Sequence, residues 1–80
     1  MLTITQKAQA LDTVKRLHDR RERIDTIVAM REYRKAYGER IDHHEFGWYF
    51  DELVRKGLMI ESRTTRGYDG FTVYELNTTQ

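Results

Sequence analysis

Apolar residues recur at spacings of three and four through the first half of the chain, and after Leu58 the rhythm changes to short β-rich runs. That change predicts helices followed by strands. Thr3 with Gln6 fits a capping box, and Ile4, Ala8, Leu11, Val14 and His18 then share one side of a helix over about residues 4–22. His18 is expected half-buried on that face. The closing turns, KRLHDRRER, are strongly charged, and cations there suit the negative end of the helix dipole. Ile24 stands alone between Arg23 and Asp25, either as a very short strand or as a buried corner.

A second helix, IVAMREYRKAY, is capped by Asp25 or Thr26 and stopped by Gly38. Ile27, Met30, Tyr33 and Tyr37 share one side, with Arg31 and Lys35 on the neighbouring, wetter side. The densest signal is DHHEFGWYFDELVRKGL over 42–58. Asp42 followed by Glu45 marks a helix start, and Phe46, Tyr49, Phe50, Leu53 and Val54 form one apolar face. Gly57 ends that helix and places Leu58 for an apolar contact behind the cap. Beyond it, LMIESR and FTVYEL flank TTRGYDG, whose glycines and aspartate have turn chemistry, so a β-hairpin is predicted.

Composition bounds what these elements can build. Eighty residues leave room for one core, so 1–80 is expected to be a single domain. The chain has no cysteine, which excludes disulfides and cysteine-based zinc sites, and no proline, so boundaries rest on caps and glycines. Neither a signal peptide nor an apolar run of ~20 residues is visible, and a cytoplasmic, non-membrane protein is expected. Asn77-Thr78-Thr79 fits a glycosylation sequon only by chance on that reading.

The net charge of +1 suggests no polyanion partner, but its distribution is uneven. Residues 1–40 carry ten bases and six acids, a balance of +4, while residues 41–80 carry four bases and seven acids, a balance of −3. A partner can read such an asymmetry.

The order of helix, helix, tight turn, helix and hairpin resembles the winged helix-turn-helix superfamily of small bacterial and phage regulators. The resemblance covers roughly 4–76, and FDELVRKGLMIES followed by VYEL is its most specific part. It implies an α+β fold, with three helices followed by a two-stranded β-hairpin wing. It also implies a DNA-binding transcriptional regulator with its third helix in the major groove of double-stranded DNA. His44, Gly47, Trp48, Asp51 and Arg55 would form that helix's exposed face, and His44, Gly47, Trp48 and Arg55 would meet DNA. Arg31, Arg34 and Lys35 would contact phosphate from the second helix. Arg63, Arg66 and Tyr68 would do so from the wing, where Arg66 could also enter a narrow A·T-rich minor groove. A homodimer is expected, because one module this small covers only ~600–1,000 Å² on DNA.

The charge of the third helix opposes that reading. From Asp42 to Lys56 it carries Asp42, Glu45, Asp51 and Glu52 against Arg55 and Lys56, a balance of −2, and carboxylates near phosphates mostly repel. Asp42 and Glu45 can be set aside as capping groups, but Asp51 and Glu52 cannot. The alternative is a winged-helix protein–protein module, such as a phage-type inhibitor or assembly subunit, docking through Trp48, Tyr49, Asp51 and Glu52. Exposed aromatic anchors of this kind are enriched at interfaces. No metal site or cofactor is expected, because adjacent residues such as His43 and His44 point ~100° apart on a helix. An enzyme is disfavoured too: no nucleophile–base pair, phosphate loop or convergent carboxylates appear.

Overall fold

The computed structural model describes residues 1–62 and 72–78. Within them lie α1 (Ile4–Asp19), α2 (Thr26–Tyr37), α3 (His43–Arg55), β1 (Met59–Ser62) and β2 (Val73–Leu76). Helices therefore precede an antiparallel pair of strands, in the order expected, and the chain is α+β.

Local chemistry sets each boundary. Thr3 closes a complete capping box: the Gln6 N–H donates to Thr3 Oγ1 at 3.1 Å, and the Thr3 N–H donates to Gln6 Oε1 at 2.9 Å. The helix ends at Asp19, earlier than the charged run suggests. There the Arg21 N–H donates to the His18 carbonyl and the Glu22 N–H to the Leu17 carbonyl, the reverse-turn bonds of a Schellman cap. Arg21 holds the left-handed position of that cap at φ 58°, where glycine is usual, so no glycine in the sequence marks the stop. Helix α2 follows the expected pattern. Asp25 Oδ1 accepts from the Val28 N–H at 2.8 Å, and Gly38 ends the helix at φ 69°. On α3, Asp42 Oδ1 accepts from the His44 N–H at 3.1 Å. Gly57, at φ 77°, lets the Leu58 N–H reach the Leu53 carbonyl at 2.9 Å. Hydrogen bonds carry this cap, and Leu58 is left exposed rather than packed as expected.

The strands pair with Met59 opposite Leu76 and Ser62 opposite Val73. Ile24 is both of the things foreseen for it. It is buried, and it forms a lone bridge with Tyr74, whose N–H donates to the Ile24 carbonyl at 2.8 Å. Asn77 then ties the end of β2 to the α3–β1 turn, its side-chain amide donating to the Gly57 carbonyl at 2.8 Å and its N–H to the Leu58 carbonyl.

An aromatic line runs through the core from α2 across α3 to β2. Tyr33 meets Phe46 edge-on at 5.6 Å, Phe46 meets Phe50 at 6.0 Å, and Phe50 meets Tyr74 at 5.0 Å. Such edge-to-face pairs add about 0.5–1.5 kcal/mol each beyond the area they bury. Helix α1 presents Ala10, Thr13, Val14 and Leu17 to this core, a stripe rotated from the predicted one that shares Val14 with it and keeps Leu11 partly buried at its edge. Ile4, Ala8 and His18 are exposed, so His18 is a surface residue. The stripe was misplaced because Thr13 reads as polar. Its hydroxyl is satisfied by the Gln9 carbonyl at 2.8 Å, which lets it be fully buried.

Candidate functional site

Helix α3 divides into two faces. Phe46 and Phe50 are wholly buried and Leu53 nearly so, which fixes the rotation of the helix. Burying each of these side chains contributes roughly 1.5–3 kcal/mol. The opposite face is therefore held outward by the core, with His44, Trp48, Asp51 and Arg55 exposed and Gly47 half-buried. Trp48 is 65 % exposed, the largest aromatic surface offered by the described residues. Tyr49, assigned to the alternative docking face, belongs instead to the core, with 7 % of its surface accessible. Its position on the wheel lies beside Phe46 and Phe50, and burial pushes its phenol above the ordinary value.

A groove of about 350 Å³ runs along the outer face. His43, His44, Gly47, Trp48 and Asp51 of α3 form one wall, and Thr26 of α2 with Tyr74 of β2 close the other side. Sequence reasoning missed Thr26, because nothing in the local pattern shows that the start of α2 rests on Gly47. A methyl group added at Gly47 would meet Thr26 Cγ2 at 3.8 Å, an ordinary contact, and no other described residue crowds it. Packing among the described residues therefore does not require glycine in the middle of this helix. A second hollow of about 200 Å³ lies on the other side of Trp48, with Met1, Leu2 and Arg55 in its lining.

The acids of α3 are less free than their number suggests. Asp42 caps the helix, and the His44 N–H holds its carboxyl below the usual range. Glu45 does not complete a capping box; it pairs with the amino group of Met1. Glu52 turns away from the groove to meet Lys7 Nζ at 3.0 Å and Lys56 Nζ at 3.1 Å, and these hydrogen bonds lower its pKa. Among the described residues Asp51 forms no ion pair and Asp42 meets only the two histidines; Asp51 faces the groove. Arg55 is exposed on the same side of the helix but lines the other hollow, so Asp51 with exposed Asp42 keeps the groove side acidic.

The bases divide as well. On α1, Arg16 Nε lies 3.5 Å from Glu32 and Arg20 Nη2 2.7 Å from it, while Arg20 Nε also meets Glu22. Arg23 pairs with Asp25 at 2.6 Å. On α2, Arg31, Arg34 and Lys35 are exposed and form no ion pair among the described residues. They do not all face α3. At about 100° per residue, Arg34 lies about 80° from Thr26, Arg31 about 140°, and Lys35 on the opposite side. Lys35 is thus the least suited of the three to share a ligand with the α3 face. Arg63, Arg66 and Tyr68 lie outside the described residues.

The adjacent histidines also depart from expectation. Their rings stack with centroids 4.1 Å apart, and ligand atoms of Asp42, His43 and His44 all lie within 4.8 Å of one another. Helical divergence does not separate these side chains because Asp42 precedes the helix in extended backbone and His43 is its first residue. The three side chains bend round the helix start rather than running along it.

No protein-family model matches the chain, and neither does any curated protein or any solved structure. No helix among the described residues is long and apolar enough to cross a membrane.

Proposed function

We propose that the protein is a winged helix-turn-helix DNA-binding regulator, with α3 as the helix that enters the major groove. The observation that carries this reading is the contrast in pairing: Arg16 and Arg20 are held by Glu32, while Arg31 and Arg34 of α2 are exposed and form no ion pair among the described residues. Unpaired guanidinium groups on the helix preceding an outward-facing one are suited to phosphate, which they grip with paired N–H bonds. The groove supplies the rest of the contact. Gly47 leaves room for close approach, His44 offers a donor to base edges or phosphate and Asp51 can accept from cytosine N4, with Arg55 a turn further along the helix outside the groove. The β1–β2 pair would serve as the wing, and the whole would act as a homodimer on double-stranded DNA.

The test is the salt dependence of binding to mixed-sequence duplex DNA. Each lost phosphate contact reduces the slope of log affinity against log salt by about one. Arg34→Ala is expected to do so in full, Arg31→Ala in part, and Lys35→Ala least. Slopes that stay at the parent value in all three variants would refute the reading.

One observation favours a second reading, a protein-docking module. Trp48 is 65 % exposed and adjoins the hollow beside Met1 and Leu2, and a rigid aromatic beside an apolar hollow is a common anchor at protein interfaces. In that case Trp48 is the anchor; Tyr49, largely buried, and Glu52, held by Lys7 and Lys56, line the same hollow, while Asp51 faces the groove on the other side. A Trp48→Ala variant that keeps the parent's DNA affinity and salt slope but loses a protein partner would favour it.

A further inference from the structure

Asp42, His43 and His44 bring one carboxylate and two imidazoles to a single point at the lip of the groove. His44 Nδ1 lies 3.3 Å from Asp42 Oδ1, and His43 Nε2 lies 3.9 Å from the same oxygen. From the donor set and its spacing, we infer that this cluster is a binding site for one borderline divalent cation, of the class of Zn²⁺, Ni²⁺ and Cu²⁺.

Two nitrogens and a carboxylate oxygen are the ligands these ions take, whereas Ca²⁺ and Mg²⁺ require sets of oxygens. With bonds of about 2.0–2.2 Å to each donor, the donors around such an ion stand roughly 3–4 Å apart. Two of the separations already fall in that range; all the ligand atoms lie within 4.8 Å of one another, and binding one ion requires the His44 ring to turn out of its stack on His43. The His44 side chain is 68 % exposed and has room to do so. Asp42 is prepared for the role. Its position is fixed by the cap bond from the His44 N–H, and a carboxylate has acceptor capacity beyond that one bond. The helix N-terminus works against a cation, and the coordinating carboxylate offsets it. Three protein donors leave coordination positions open to water or to a ligand in the groove. This inference does not depend on what the groove binds.

The chain reports on itself in the test. Its three histidines are His18, His43 and His44, and its single tryptophan lines the same groove as the pair. Adding one equivalent of Zn²⁺ should shift the Hε1 resonances of His43 and His44 together and leave exposed His18 unmoved. Cu²⁺ should quench Trp48 fluorescence to saturation at the same stoichiometry. His44→Gln and Asp42→Asn should each weaken binding by at least about tenfold, since even an outer-shell partner is worth that much at a metal site. Asparagine keeps the helix cap, so the second variant removes a ligand without removing the helix start. His18 shifting at the same Zn²⁺ concentration, saturation only in the millimolar range, or unchanged affinity in both variants would each overturn the assignment.

Discussion

Helices α1 and α2 carry arginines of identical chemistry in opposite situations. Arg16 and Arg20 both reach Glu32, whose side chain is only 12 % exposed, and Arg16 also donates to the Tyr37 hydroxyl at 3.2 Å. They are cross-links between α1 and α2. Arg31 and Arg34, on the helix that Glu32 itself belongs to, have no such partner among the described residues. A charge count treats all four as equivalent, but the structure commits two to the fold and gives the other two no ion pair among the described residues. Where the carboxylate sits, rather than how many bases a segment holds, decides which bases can act.

The sharpest way to break this contrast is to exchange the consequences. On the proposed reading, removing both arginines in an Arg31→Ala, Arg34→Ala double variant should weaken DNA binding by more than about tenfold at low salt, since one full and one partial phosphate contact are lost. Its thermal midpoint should stay within about a degree or two of the parent, because exposed unpaired charges contribute little to stability. Filter binding or fluorescence anisotropy across a salt series, beside a thermal melt, checks both halves. A double variant that unfolds early while binding DNA normally would reverse the roles given to the two helices.

The converse change acts on the fold. Glu32→Gln leaves Arg16 and Arg20 without their shared acid and should cost about 1 kcal/mol, near the upper end for a partly exposed ion pair. DNA affinity should be unchanged. The effect has a pH signature. The hydrogen bond from Arg20, with Arg16 adding to it, lowers the Glu32 pKa below its unfolded value. Its contribution is therefore full above the usual carboxylate range and is lost as pH falls through the lowered folded value. Urea denaturation of parent and variant should differ at neutral pH and converge in strong acid. Equal stabilities at neutral pH would show that Glu32 does not link the helices.

These pairings explain where reading the sequence succeeded. Elements bounded by a cap and a glycine were legible: Asp25 with Gly38, and Asp42 with Gly57, mark both ends of α2 and α3. The end of α1 was not, because Arg21 fills a position at φ 58° that the sequence gives no reason to suspect. The outer face of α3 could be read because Phe46, Phe50 and Leu53 fix its rotation. Tyr49 was counted both as core and as docking surface, and only the packing resolves it as buried. The neutralisation of Glu52 by Lys7 depends on a contact spanning 45 positions, which no local pattern encodes. Nor could the approach of His43 to His44 be read from a helical wheel, since it depends on how side chains fold back at the first turn.

Gly47 offers the smallest effect and the one most specific to the groove. Glycine within a helix costs roughly 0.5–1 kcal/mol relative to alanine, from the extra backbone freedom lost on folding. A structural reason to accept that cost would be crowding, yet the nearest described atom to an added methyl is Thr26 Cγ2 at a comfortable 3.8 Å. Gly47→Ala should therefore raise stability by about 0.5 kcal/mol in a urea or thermal titration. If the groove is the contact surface, the same methyl stands between Trp48 and the α2 wall and should lower DNA affinity. Opposite signs in the two measurements would assign the glycine to binding. A destabilised Gly47→Ala would instead return it to the packing of α2 on α3, and with it the claim that this face is shaped for a partner.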